Sequence, residues 1–98
     1  MTREIPDSAT IVVADDVVAS DFGEELVVLN LRDGVYYGLE DVGVRIWRGL
    51  QQPVSFVDLR DQIVSEYEVE PDDCDRDVRE LVAELAAAGL IEITMPPG

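Results

Sequence analysis

The sequence has no histidine, no lysine and a single cysteine, Cys74. Each absence removes a class of chemistry. Histidine is the side chain most used for proton transfer near neutral pH and for metal ligation. Lysine supplies Schiff-base amines and the grip of phosphate loops. One cysteine excludes an internal disulfide, so folding does not depend on an oxidising compartment. Cys74 sits in Asp72-Asp73-Cys74-Asp75, where neighbouring carboxylates raise a thiol's pKa, the wrong direction for a nucleophile. Its helical phase is apolar, which predicts a buried core thiol. Positive charge is also scarce. Seven arginines face 22 acidic residues, for a net charge of −15. A surface this acidic repels phosphate and excludes nucleic acid and anionic membrane as partners. No apolar run approaches the roughly 18 residues of a membrane span. Met1-Thr2-Arg3-Glu4-Ile5-Pro6 lacks the apolar segment of a signal peptide, so a soluble, cytoplasmic protein is expected. No stretch matches a calcium loop, and Asp15-Asp16 and Glu24-Glu25 read as solvated turns. There is no Gly-rich phosphate loop. The chain is expected to need no cofactor or metal, and to bind rather than catalyse.

What is present suffices for one folded domain. Of 98 residues, 47% are hydrophobic and 30% charged. Residues 1–9 read as a loose arm, 10–94 as the domain and 95–98 as a tail. Ile11-Val12-Val13-Ala14 is short and β-branched, and predicts a first strand. Val17–Gly23 extends it or precedes a turn. Leu26–Leu31 predicts a strand, and Arg32-Asp33-Gly34 leads into Val35-Tyr36-Tyr37-Gly38-Leu39. Asp-Gly between two β-rich runs is a strong hairpin signal. The period then changes. Glu40-Asp41 suits a helix start, and Val42, Ile46, Trp47 and Leu50 set a first helix over about 41–51. Ser55, with Asp58 three residues on, caps a second helix over 56–67. Pro71 and the acids after it open a third, whose apolar stripe is Cys74, Val78, Leu81, Val82 and Leu85. Gly89 is the expected left-handed stop, and Leu90–Thr94 can form a brief returning strand. The predicted class is α+β, a three-stranded antiparallel sheet followed by three helices.

Two places carry functional promise. If sheet order follows the chain, Val35–Leu39 is an edge strand. Tyr36 and Tyr37 then point to opposite faces, one into the core and one exposed. Edges are normally blunted by charge, proline or a bulge, yet Val-Tyr-Tyr-Gly-Leu has no charge. Gly38 leaves room for another backbone to approach. The strand can accept an extended peptide by strand addition, unless Ile91–Thr94 covers it. On the third helix, Asp77, Glu80 and Glu84 form an acidic flank. Arg79, Ala83, Ala86 and Arg76 form a small-plus-basic one, which can fork onto a carboxylate or simply pair with Glu80 and Asp75.

The run Val28-Leu29-Asn30-Leu31-Arg32-Asp33-Gly34-Val35-Tyr36-Tyr37-Gly38-Leu39, with Val42-Gly43 and Ile46-Trp47, resembles the PqqD-like family. So do Leu59, Ile63, Tyr67-Glu68-Val69, Asp77-Val78, Leu81, Leu85 and Gly89-Leu90-Ile91. The resemblance covers about residues 10–93. It implies a winged-helix-like recognition element for the leader region of a ribosomally synthesised precursor peptide. The leader would bind as an added strand between the third strand and the third helix. The implied contacts are Val35, Tyr36, Tyr37, Gly38 and Leu39, with Asp75, Val78, Arg79 and Val82 from the helix. A separate processing enzyme is the implied second partner. Within the family the chain looks most like the small leader-binding protein of lasso-peptide pathways, whose partner is a leader-removing cysteine protease. The alternatives are a PqqD-type partner of a radical enzyme in quinone-cofactor synthesis and an acidic interaction subunit. A charge of −15 is unusually acidic for the family and suggests a basic patch on the enzyme or on the leader.

Overall fold

Asp33-Gly34 turns the chain as its sequence dictates, with Gly34 at φ +73°. In the computed structural model, which describes residues 5–95, this turn joins β3 (Glu25–Asn30) to β4 (Tyr36–Glu40). Ahead of them come β1 (Thr10–Val13) and β2 (Val17–Phe22). After them come α1 (Val42–Gly49), β5 (Val54–Ser55), α2 (Phe56–Tyr67), α3 (Pro71–Ala87) and β6 (Ile91–Thr94). The class is α+β, but the strands form two three-stranded antiparallel sheets, ordered β2-β3-β4 and β5-β1-β6. The expected single sheet is therefore corrected. Val17–Phe22 folds back on β3 through Gly23, at φ +75°, and takes the place expected for the first strand. That first strand pairs instead with β6, Thr10 opposite Thr94, and with the short β5.

The expected loose arm is also corrected for its described part. Ile5 and Ala9 are buried. The N–H groups of Phe56 and Val57 donate to the carbonyls of Ala9 and Asp7. Residues 1–4 and the tail residues 96–98 lie outside the described part of the chain.

The helices follow their local signals. Ser55 Oγ accepts from the Asp58 N–H at 3.2 Å and opens α2. Pro71 occupies the first turn of α3, with Asp72 and Asp73 at the positive end of its dipole. The expected Asp41 cap differs. Asp41 sits at φ 52° and makes no side-chain cap bond, because the chain turns from β4 into α1 over this one residue. The apolar stripes of the helices meet in one core, where Phe56, Leu59 and Ile63 face Val78, Val82 and Leu85. Leu26, Val28 and Leu39 cover it from one sheet, Ile11 and Ile91 from the other. Each such side chain contributes about 1.5–3 kcal/mol on burial. Cys74 and Trp47 lie in this core.

Candidate functional site

Among the described residues β3 is the sole strand beside β4, and none lies on its outer side. β6, which could have covered it, pairs with β1. The Asn30 N–H donates to the Val35 carbonyl at 2.8 Å, which fixes the phase of the antiparallel ladder. Bonded and non-bonded pairs alternate. Tyr37 and Leu39 therefore bond to β3, and Tyr36, Gly38 and Glu40 turn their N–H and C=O groups to the open edge. Side-chain alternation separates the two tyrosines. Tyr36 is 72% exposed, whereas Tyr37 packs against the core.

Three contacts hold the β3–β4 hairpin against α3 and the turn that follows it. The Tyr37 hydroxyl donates to a Glu84 carboxylate oxygen. That bond, aided by burial and by the carboxylate charge, raises the Tyr37 pKa above the usual tyrosine value. Further along, Gly43 lets Leu39 and Leu81 close together; a Cβ there would lie 3.3 and 3.7 Å from their side chains. At the turn end, Asn30 Nδ2 donates to the Gly89 carbonyl at 3.1 Å. Its Oδ1 accepts from the Arg32 N–H at 2.9 Å. Beyond the Glu40 end of the strand, a groove of about 400 Å³ opens between α1, the end of α2 and the first half of α3. Val42, Ile46, Tyr67 and Leu81 give it an apolar floor, and Glu70, Asp73 and Asp77 line it with carboxylates.

The sequence-predicted residues divide into three groups. Val35, Tyr36, Tyr37, Gly38 and Leu39 lie on or next to the open strand. Val78 and Val82 are buried under α3 and offer no free surface, although Val78 reaches the groove. Asp75 and Arg79 lie on the flank of α3 away from β4. Arg79 pairs with Asp75 and Asp7, each at 2.6 Å, donates to the Ile5 carbonyl and stands 4.3 Å over the Phe56 ring. Arg60 also pairs with Asp75, at 2.7 Å. Arg79 first and Arg60 second hold the Asp75 carboxyl below the usual carboxylate value, with burial opposing them. These two residues tie α3 to α2 and to residues 5–7. Asp75 and Arg79, expected at the cleft, are thus engaged with α2 and residues 5–7.

The flank that does meet β4 carries Glu84, which reaches Tyr37, and Leu81, which comes close to Leu39 over Gly43, while Asp77 lines the adjoining groove. The helical wheel separates the two flanks but does not say which one meets the hairpin. Asn30 carried no signal beyond being a polar residue at a strand end. Burial first, then Asp77 and Asp75, pushes the Cys74 thiol up, so the thiolate is disfavoured. Among the described residues, no group of three or more His, Cys, Asp or Glu side chains is placed to hold a metal ion. Among them, too, no helix is long and apolar enough to cross a membrane.

TbiB1 in complex with the TbiA(beta) leader peptide is a similar solved structure at 36% identity and TM-score 0.76, covering 83% of this chain and 94% of that one. Lasso peptide synthetase B1 complexed with the leader peptide is similar at 29% identity and TM-score 0.73, covering 84% and 96%. No curated protein matches the chain. The family model for coenzyme PQQ synthesis protein D (PqqD) matches residues 25–91, from the first residue of β3 to the first of β6. The chain belongs to the PqqD family.

Proposed function

We propose that the protein is a non-catalytic peptide chaperone. It binds the leader region of a ribosomally made precursor peptide as a fourth strand on β4, and it presents the precursor to a separate processing enzyme in the cytoplasm. The observation that carries this is the open edge, where Tyr36, Gly38 and Glu40 turn main-chain groups outward beside the Leu81 flank of α3. Main-chain bonds supply affinity in strand addition, and pockets for alternate side chains supply specificity. The likeness to two leader-peptide complexes supports the same ligand class. It also favours a lasso-peptide pathway, with a leader protease as the enzyme, over a quinone-cofactor pathway. The winged-helix likeness belongs to this reading, in which a hairpin sheet lies beside the third helix. The cleft flank is acidic, so a leader carrying Lys or Arg beside an apolar residue fits it best.

The test is a titration with a fluorescent peptide of the pathway's own leader. Gly38→Pro removes an outward N–H and leaves the β3 ladder intact. It weakens binding by about tenfold or more, the equivalent of one lost main-chain bond. Gly38→Ala keeps the N–H, and its Cβ meets nothing within 4 Å, so it binds as the native protein does. Equal affinity of a folded Gly38→Pro variant refutes strand addition at this edge.

A further inference from the structure

Tyr37 and Leu39 stand two residues apart on the cleft-facing side of β4. Each meets its own residue of α3. The Tyr37 hydroxyl donates to Glu84, and Leu39 comes close to Leu81 over Gly43. The cleft therefore has a polar end and an apolar end, about 7 Å apart along the strand. The charge at the polar end is unbalanced. The hydroxyl is a neutral donor: it fixes where the Glu84 carboxylate points, leaves the negative charge in place and fills one of about four acceptor positions. The arginines among the described residues all pair with other acids. The chain has no lysine. Glu84 is exposed, so a cation can reach it from outside the fold.

We propose that Glu84, positioned by Tyr37, selects a Lys or Arg of the leader, and that Leu81 selects an apolar leader side chain two residues away from it. The inference rests on the leader-binding reading above and adds the register in which the peptide is read. Directly opposite residues of neighbouring strands share a face of the sheet. A leader residue opposite Tyr37 thus points at Glu84, and one opposite Leu39 points at Leu81. The residue between them lies opposite Gly38 and faces away from α3, where a Cβ on Gly38 would meet nothing within 4 Å. Its identity is free. The leader is therefore read as basic, any, apolar, in the order that the direction of the added strand sets. An acidic residue opposite Tyr37 would meet Glu84 as a like charge and be rejected.

The probe is the fluorescent leader peptide of the pathway's own precursor, native and with each Lys or Arg replaced by Met in turn. Glu84→Gln keeps an acceptor for the Tyr37 hydroxyl and removes the charge alone. It weakens the native leader about threefold or more and flattens the salt dependence of binding. Replacing one basic leader residue by Met gives a similar loss with the native protein and no further loss with Glu84→Gln. Tyr37→Phe releases the carboxylate and shrinks that coupling below about twofold. The coupled basic residue stands two positions from an apolar one whose replacement by Ala couples in the same way to Leu81→Ala. Three results overturn the proposal: equal affinity of folded Glu84→Gln, an equal loss for every leader variant, or a coupled basic residue at another spacing. If the leader still binds the native protein and is lost by Gly38→Pro, strand addition survives any of these and only the charge selection falls. A leader that does not bind the native protein removes both.

Discussion

Gly89 and Asn30 form a wedge whose energy a double-mutant cycle resolves. Gly89 sits at φ +75°, and a Cβ there would lie 2.8 Å from Asn30 Nδ2. The Asn30 amide cannot simply swing aside. Its residue is 5% exposed, its Nδ2 donates to the Gly89 carbonyl, and its Oδ1 accepts from the Arg32 N–H. Gly89→Ala therefore costs about 1 kcal/mol for the left-handed backbone. The displaced amide bonds add about 1–2 kcal/mol. Asn30→Ala alone costs about 2 kcal/mol through the same bonds. In the Asn30→Ala background the added methyl meets no amide, and only the backbone cost remains. The double variant is then more stable than the sum of singles predicts, by about 1–2 kcal/mol. Urea unfolding followed by fluorescence of the buried Trp47 reads all four corners of the cycle. A thermal scan reads the same energies at about 4–8 °C per kcal/mol for a domain of this size. A Gly89→Ala penalty that is equal in both backgrounds refutes the wedge.

Arg79→Ala destabilises the fold by about 1–3 kcal/mol, since it leaves Asp75 and the Ile5 carbonyl with fewer partners, yet leader affinity stays within about twofold; a selective loss of affinity would return Arg79 to the cleft. The lowered pKa of Asp75 makes its stabilisation complete above the unfolded carboxyl value of about 3.9 and lost as pH falls through the lower folded value. Acid unfolding of the native protein therefore steepens below about pH 4, and Asp75→Asn flattens that limb; identical pH profiles would count against the pairing. Tyr37 ionises above the usual tyrosine range, and Glu84→Gln brings its phenolate absorbance back to lower pH, whereas an unmoved titration would show that the bond does not persist in solution.

Local chemistry was legible wherever a signal is local. Asp33-Gly34, the Ser55 cap, Pro71 and Gly89 each mark a boundary that the structure keeps. The edge position of β4 was legible only on the condition that sheet order follow the chain and Ile91–Thr94 pair elsewhere, whereas the division of Tyr36 from Tyr37 followed from strand alternation. Pairing between distant strands was not legible. Val17-Val18-Ala19-Ser20-Asp21-Phe22 has exposed residues on both faces, so it shows little of the alternation that announces a strand. Thr10–Val13 looks the same whether its neighbour is β2 or β6, because partner choice depends on where the chain returns after 80 residues. The third helix shows the same limit within the site. Its sequence separates Arg79 from Glu84, but the docking of residues 5–9 decides which flank is left for β4.

The pairing of β1 with β6 has an engineering consequence. Thr10 lies opposite Thr94, so the first and last strands run side by side, in a different sheet from the open edge. A partner polypeptide attached beyond either of these strands is tethered to the β5-β1-β6 sheet and not to β4. A linker joining the outer ends of β1 and β6 would close the backbone into a ring, to be reopened at an exposed loop such as Gln51-Gln52 as a circular permutant with the same cleft. The recognition unit is thus portable: it can be tethered to an enzyme of choice without rebuilding the surface that reads the peptide.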